Sequence, residues 1–596
     1  MNNKDIAKTL NFFATLLELK GENPFKIRAY QKAARTIENI QNNLKNLNIE
    51  ELIKINGIGK NIAEKIIELN TSGKIKELDA LKKEIPNGII EMLKIPNLGP
   101  KRIKQIYEIL NITSIGELEY ACLENRLKNM PNFGEKLQQK ILQNIKILKT
   151  YKDRFLFPEA YNIANLLKNF LYTKLPNAKI EIAGSIRRKK ETVHDIDILI
   201  SYITPEDWEK LKNLFSKKLT KSLIIGMGDT KISIYANEKI INQLSKTKEV
   251  PYEISKETLI QVDMRFVPDE SFPFALQHFT GSKEHNTKLR SIAKKMGYKS
   301  NEYGIFKNDK KIEANSEEDI YKILNLQYIP PELREDIKEI EAAAENKIPV
   351  LVSRDDIKGF FHCHTNYSDG QNSIKEIIQY ALKKKYEYIG ISDHSKSAFY
   401  AHGLEEERIY QQKEEINSLQ KKYPQIKIFW GIESDILKDG SLDYSEDILK
   451  LFDFVIGSIH SNFSMKQEDM ENRILAALAN PYLTILGHPS GRLLLSREPF
   501  DIDMIKILEA AKKYNKIIEI NANPHRLDID WRYIPYGKKL GILFSINPDA
   551  HRLEGINDIE YGVNIARKGW LEPINILNTY SKTKVEKILK KEEQYE

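Results

Sequence analysis

A chain of 596 residues is too long for one ordinary domain, and 41% hydrophobic with 30% charged residues is the balance of a protein with real cores and a solvated surface. No run of about 18 apolar residues occurs, so no membrane span is expected; MNNKDIAKTLNFF lacks the regions of a signal peptide; and with only two cysteines, Cys122 and Cys363, no disulfide framework is expected and a reducing cytoplasm fits. The net charge of +8 is uneven: residues 1–150 hold 25 Lys+Arg against 17 Asp+Glu, residues 151–340 hold 32 against 28, and residues 341–596 hold 35 against 39, so a polyanion partner is expected at the N-terminal end.

Up to about residue 150, apolar residues recur at three- and four-residue spacing, which predicts helices throughout. One unit occurs there three times: LIKINGIGKNIAEKII (52–67), LKIPNLGPKRIKQIY (93–107) and KNMPNFGEKLQQKIL (128–142). Each is an apolar helix end, a turn with Gly, then a helix opening in Lys or Arg. A Gly turn lets backbone N–H groups approach a phosphate, and the helix N-terminus behind it favours the anion. Gly57, Gly59 and Lys60, Gly99, Lys101 and Arg102, and Gly134 and Lys136 are therefore candidate phosphate contacts without base specificity. The unit resembles the helix-hairpin-helix of DNA-binding proteins. Asn97 and Asn132 replace the first Gly in two copies, and Asn tolerates the left-handed conformation. The alternative is three Gly-capped hairpins with no ligand; three copies on the basic end favour DNA.

From 151 to about 270 strands are expected, among them KIEIAGS, DIDILIS and LIQVDMRFV. Residues two apart in a strand share a face, so Asp195 and Asp197 project together. Asp263 lies in a later apolar run, where an unpaired carboxylate is costly. Three converging carboxylates suit a hard divalent cation, and two such ions activate a 3′-hydroxyl and stabilise a leaving pyrophosphate. Gly184 and Ser185 permit close approach of phosphates and Arg188 adds fixed charge.

AGSIRRKKETVHDIDILI (183–200) resembles the palm of family X DNA polymerases, HFTGSKEHNTKLR (278–290) resembles the family's thumb, and NEYGIF (301–306) follows at a fitting distance. The resemblance implies Asp195, Asp197 and Asp263 as catalytic ligands of Mg²⁺ or Mn²⁺. It also implies Ser185 and Arg188 on the triphosphate, Phe279 and Gly281 in the nucleotide pocket, Asn286 at its minor-groove edge and Arg290 on the template strand. The sequence departs from the family at His194, where Gly is common, at His278 for Tyr, and at Gln261 for Arg; no metal ligand is lost. The segment 335–357 reads as a charged helix and a Pro-marked link.

Beyond residue 358, strands alternate with amphipathic helices, the pattern of βα units around a parallel sheet. Eight of the 11 histidines lie there, most of them just after a short apolar run. Seven such runs are present, and nearly all end in a metal-type side chain; in α/β barrels these strand ends form one face. Residues 356–575 resemble the PHP (polymerase and histidinol phosphatase) domain, which implies His362, His364, Asp369, His394, Glu433, His460, His488, Asp549 and His551 as ligands, with Glu433 bridging two of up to three metals. Imidazole-rich sites suit Mn²⁺, Zn²⁺ or Fe²⁺, and clustered metals activate water and clamp a phosphate ester. Phe360 stands where Asp is common and Pro548 where Thr is common, both outside the nine. Cys363 is expected to face away from the ligands on either side of it.

The expected fold is multidomain α/β: a helical lyase-like region (1–85), helix-hairpin-helix fingers (86–150), a nucleotidyltransferase palm of mixed sheet and helices (151–270), a thumb (271–335), a linker (336–357) and a distorted seven-stranded β/α barrel (358–596). The resemblance covers nearly the whole chain and implies a monomeric, cytoplasmic, nucleoid-associated gap-filling DNA polymerase of base-excision repair. It acts with dNTPs on gapped or nicked duplex DNA, and its barrel is a 3′-to-5′ exonuclease, with AP endonuclease or 3′-phosphatase activity as further options. Two alternatives stay open: a PHP phosphoesterase on an inactive polymerase scaffold, and a DNA-end-binding scaffold. GIGKNIAEKI resembles the lyase helix of DNA polymerase beta, which implies Lys65 as a Schiff-base nucleophile whose amine is tuned by neighbouring cations such as Lys60, Arg28 and Lys26.

Overall fold

Helix follows the hydrophobic period through the first 148 residues. The computed structural model describes residues 3–38, 40, 44, 47–95, 98–148, 154–244 and 259–590, and the chain divides into two units, Met1–Leu148 and Lys149–Glu596. In the first unit, Ile6, Leu10, Phe13 and Leu17 of helix Asn3–Lys20 pack with Tyr30, Ala33, Ala34 and Ile37 of helix Pro24–Glu38. One apolar core continues from there through Ile62, Ile66, Ile103 and Ile106 to Ile141 and Ile145.

The second unit opens with a five-stranded mixed sheet in the order Lys179–Ile182, Asp195–Ser201, Ile260–Phe266, Lys231–Ala236, Ile224–Met227. Period two decides its faces. Ile196, Ile198 and Ile200 enter the core made with helices Phe157–Lys174 and Pro205–Lys218. Leu199, on the opposite face with Asp195 and Asp197, packs on Phe272, Ala275 and Leu276 of helix Phe272–Thr280. Helix Lys283–Lys295 and a three-stranded antiparallel sheet complete this region. The segment 336–357 is built into both neighbours: Ile340, Ala343, Ile348 and Leu351 join the core of Phe274 and Leu289, while Val352 joins the barrel core and donates its N–H to the Leu571 carbonyl at 3.0 Å. Its helix is short, Glu339–Ala344, because Asn346 takes a left-handed φ of 54° and Pro349 follows.

Seven parallel strands then run in sequence order, from Gly359–Phe360 to Phe544–Asn547. Phe361, Tyr388, Phe429, Ile456, Ile485 and Ile517 form an inner cluster with Val585 and Ile588 of helix Lys582–Leu589. The alternate residues, such as Ile389 and Ile391, join the layer against the outer helices. Cys363 lies in that outer layer, as expected. The first and last strands do not pair along their length. Instead the fully buried Asn578 spans them: its amide donates to the carbonyls of Gly359 (3.0 Å) and Ile546 (2.8 Å) and accepts from the Ile546 N–H (2.6 Å). Past it, His364 N–H donates to the Ala550 carbonyl at 2.9 Å. The barrel is nearly closed, with a side chain standing in for part of a ladder. Among the described residues no helix is long and apolar enough to cross a membrane.

Asn578→Ala strands buried backbone groups on both strands and is expected to destabilise this unit by about 2–4 kcal/mol. Denaturant unfolding followed by tryptophan fluorescence measures it, and an unchanged midpoint would show the seam to be held by other means.

Candidate functional site

The palm carboxylates meet because of strand register. Strands Asp195–Ser201 and Ile260–Phe266 are parallel, and Asp197 lies directly opposite Asp263. Burial, then repulsion from Asp195 and Asp263, pushes the Asp197 carboxyl up to about 7, against the opposing pull of Arg265 and Lys231. Lys231 Nζ sits 2.7 Å from Asp263 Oδ2 and Gln261 donates to its Oδ1 at 3.2 Å. Burial alone would raise Asp263, but these partners, with Ser233, hold it below its usual value. The site thus concentrates negative charge that a divalent cation offsets, and its all-oxygen donors fit Mg²⁺ or Mn²⁺.

Gly184 has φ 62°, and a Cβ on it would stand 2.3 Å from Asp197 Oδ2. Its bareness therefore serves the carboxylate as much as an incoming phosphate. Ser185 follows it, half-buried. Arg188 donates from Nη1 to the Thr280 carbonyl and from Nε to Glu335 at 3.3 Å. Gly281, φ 74°, lies against the same guanidinium, 2.9 Å from where its Cβ would be. Gly184, Arg188 and Gly281 are thus brought together. Phe279 packs beside the cluster of Leu199, Phe272, Ala275 and Leu276, under the Arg265 guanidinium, which lies 4.5 Å from the ring centre. Asn286 is engaged at both ends, accepting from Gln277 at 2.8 Å and donating to the His278 carbonyl at 2.7 Å. Arg290 is exposed and bonds His278 Nδ1 at 2.9 Å.

In the barrel all nine expected residues gather at the C-terminal strand ends and all are buried. Local structure explains the aim. Asp393, one residue before His394, points the other way and accepts from Thr365 N–H and Oγ1, both at 2.7 Å, and from Gln412, clamping the loop that returns Asp369 to the centre. His488 and Asp549 adopt left-handed φ of 24° and 49°, backbone strain of the kind stored at functional sites. Glu433 is the hub, within 3.6 Å of ring nitrogens of His362, His364, His394, His460 and His488. Among the described residues of the barrel, three groups have donor atoms close enough to share an ion: His364, Asp369, His394 and His551; His362, His364 and Asp549; His394, Glu433 and His460. His362 Nε2, both ring nitrogens of His364 and of His394, and Asp369 Oδ2 are buried without a hydrogen bond, as donors awaiting cations would be.

Burial lowers His364, with repulsion from His551 and His394, and takes His488 to about 4, helped by Arg526. Burial works the same way on His362, His394 and His460, but surrounding carboxylates raise all three. Burial would raise Glu433, yet His362, His460 and His394 hold it well below the usual carboxylate range. Two further acids were not singled out in the sequence: Glu519 accepts from His362 Nδ1 at 2.7 Å and from the His488 N–H at 2.6 Å, and Asp435 meets His460 Nδ1 at 2.6 Å. Both turn the opposite nitrogen toward Glu433. Their only local signal is an acid at a strand end: Glu519 two residues before Asn521, Asp435 two after Glu433.

In the first unit, Gly59 and Gly99 begin helices Lys60–Ser72 and Pro100–Leu110 with no side-chain cap. A Cβ on Gly59, Gly99 or Gly134 meets no described atom within 4 Å, and Lys60, Lys101, Arg102 and Lys136 are exposed beside them. Gly57 (φ 94°) and Asn132 (φ 64°) both take the left-handed turn position; Asn97 lies outside the described residues. Lys65 faces acids rather than the expected cations alone: its amine is 3.1 Å from Glu77 and 3.6 Å from Glu68, and Lys26 shares Glu77 at 3.3 Å.

Comparison with known proteins places four matching domain families along the chain. Residues 1–75 match the helix-hairpin-helix domain, 89–146 the SAM-like helix-hairpin-helix tandem, 275–335 the DNA polymerase beta thumb and 361–523 the PHP domain. A DNA polymerase/3′-5′ exonuclease PolX of Bacillus subtilis (strain 168) is 37% identical over 99% of this chain and 100% of its own length. A probable phosphatase of Caldicellulosiruptor bescii is 31% identical over 32% of this chain and 78% of its own, and DNA polymerase lambda of Arabidopsis thaliana is 24% identical over 47% and 50%. Full-length similarity, the thumb and the PHP barrel together decide the matter: the chain belongs to the family X DNA polymerases that carry a C-terminal PHP phosphoesterase domain.

Proposed function

We propose that this protein fills short gaps in duplex DNA during base-excision repair and trims 3′ ends with its barrel as a 3′-to-5′ exonuclease. The observation that carries the reading is that one unit holds two separate ligand sets: the carboxylates Asp195, Asp197 and Asp263, and the imidazole-rich cluster around Glu433. The intact palm triad favours this over an inactive polymerase scaffold. In the palm, Arg188 and the Gly184–Ser185 backbone bind and orient the triphosphate, Phe279 and Gly281 bound the nucleotide, Asn286 leaves its thumb contacts to meet the base edge and Arg290 meets the template. Asp195, Asp197 and Asp263 would hold divalent cations, which would supply the charge for attack by the primer 3′-hydroxyl and for departure of pyrophosphate. In the barrel the nine ligands would hold up to three Mn²⁺, Zn²⁺ or Fe²⁺ ions, which supply an activated water and a clamp for the phosphate ester. Glu519 and Asp435 orient the imidazoles of His362 and His460, and Arg526, 3.4 Å from Asp549, adds positive charge beside them. AP endonuclease or 3′-phosphatase action uses the same barrel groups. The hairpin turns hold the phosphate backbone, with the protein as a monomer on a gapped or nicked substrate.

Gap filling with Mg²⁺ and 3′-end degradation with Mn²⁺, measured on the same gapped duplex, test the assignment. Asp197→Ala should lower nucleotide addition by about 100–1,000-fold or more and leave degradation intact; equal loss of both in a folded variant would refute two separate sites. His362→Ala combined with His364→Ala should do the reverse, and retained Mn²⁺-dependent degradation would remove the barrel from the nuclease role. Lys65 is proposed as the lyase nucleophile: once DNA opens its pair with Glu77, its amine adds to C1′ of a 5′-deoxyribose phosphate, water leaves and a Schiff base forms. Borohydride should trap that adduct in the wild type and not in Lys65→Ala; an undiminished adduct in the variant acquits Lys65.

A further inference from the structure

Lys568 is the last residue of barrel helix Ile559–Lys568, and its side chain is fully buried. Its ammonium makes three contacts, all outside the barrel: the Arg188 carbonyl at 2.9 Å, the Glu332 carbonyl at 3.2 Å and the Glu335 carboxylate at 2.9 Å. The Trp531 ring, 4.7 Å away, covers it from the barrel side. Glu335 is itself buried and receives three cations, Lys568, Arg188 and Lys190, the last two at 3.3 and 3.2 Å. Arg188 is thus fixed at three points: its carbonyl by Lys568, its Nε by Glu335 and its Nη1 by the Thr280 carbonyl.

The charges in this knot do not act alike. Glu335 competes with a triphosphate for the Arg188 guanidinium, and a buried carboxylate with few partners holds a cation hard. Lys568 neutralises Glu335 from the barrel side, so the pull on Arg188 is weaker than a bare Glu335–Arg188 pair would exert. It also anchors the Arg188 backbone. Remove the ammonium, and the guanidinium is drawn to Glu335 while its main chain loses a support; both disfavour triphosphate binding. From this we infer that Lys568 is a positioning residue for the incoming nucleotide, through which the barrel sets the orientation and available charge of Arg188 in the palm. The inference rests on the proposed role of Arg188 at the triphosphate.

The test is single-nucleotide insertion by the full-length protein, with KM for dNTP and kcat resolved separately. Lys568→Met should raise KM by roughly tenfold or more with kcat changed much less, and leave Mn²⁺-dependent 3′-end degradation at its wild-type rate. Lys568→Arg should recover part of the loss. Where Lys568→Met fails to fold, Lys568→Gln, which keeps a donor and drops the charge, carries the same expectation. Arg567→Ala is the matched control: it breaks the neighbouring contacts to Glu332 and the Val352 carbonyl without touching Arg188, and should leave KM unchanged. An equal rise in Arg567→Ala and Lys568→Met overturns the inference in favour of a loosened interface. Arg188→Ala separates the two layers. If it leaves KM unchanged, the reading of Arg188 as the triphosphate ligand fails; if it raises KM while Lys568→Met does not, that reading stands and the coupling falls. In the Arg188→Ala background, Lys568→Met should have no further effect on KM, and a full additive effect there also overturns the coupling.

Discussion

Two carboxylates face each other across a parallel strand pair, and much of the second unit is arranged around them. Asp197 and Asp263 are opposite in register, so neither can relieve the repulsion by leaning along its strand. The protein surrounds them with positive charge. Lys231 sits directly on Asp263 as a flexible amine, while Arg265 is tied up against Phe279. Gly184 then clears the space that Asp197 needs, and its neighbour Arg188 is fastened to Glu335. The fastening runs on through Glu335 to the barrel. A cluster that looks local in the sequence is a local solution with a long-range support.

The barrel solves the same problem with different groups. Its carboxylates sit among imidazoles that split into two classes, with His362, His394 and His460 raised and His364 and His488 lowered. The raised three are the rings on which carboxylate attraction outweighs burial, and an imidazole ligates a metal only in its neutral form, so metal binding here is expected to depend on pH. The palm, with oxygens alone and Lys231 beside them, is the harder site. Two donor sets of different type thus lie in one unit, carboxylate oxygens in the palm and imidazoles with carboxylates in the barrel.

The sequence makes legible whatever depends on local period. Asp195 and Asp197 share a face because strands repeat every two residues, and Asp263 stands out as an acid in an apolar run. Most of the candidate barrel ligands stand out because they follow an apolar run. The hairpins repeat, and Asn132 takes the left-handed turn that its chemistry permits. What stays hidden is complementarity between distant segments. Glu335 lies 147 positions from Arg188, and Lys568 lies 380 from it. No pattern near Lys568 distinguishes it from any lysine ending a helix. Likewise, Lys65 sits on a helix whose spacing announces a DNA-facing turn, yet Glu77, which faces it, belongs to the next helix. Asn578 reads as a loop polar residue until both strands it joins are in view.

The barrel seam has a consequence for biosynthesis. Strand Gly359–Phe360 is made early in the barrel, whereas Asn578, Val585 and Ile588, which span the seam and fill the inner cluster, come after all seven strands. A nascent chain on the ribosome can therefore complete the five-stranded sheet and the thumb core, both earlier in the order of synthesis, while the barrel still lacks its seam and inner plug. Until those residues emerge, Asp549 and His551 have no closed wall behind them, and the metal cluster is an unfinished set of ligands. The five-stranded sheet and the thumb core can thus take shape before the barrel closes, whereas the support that Lys568 gives Arg188 arrives only with the barrel.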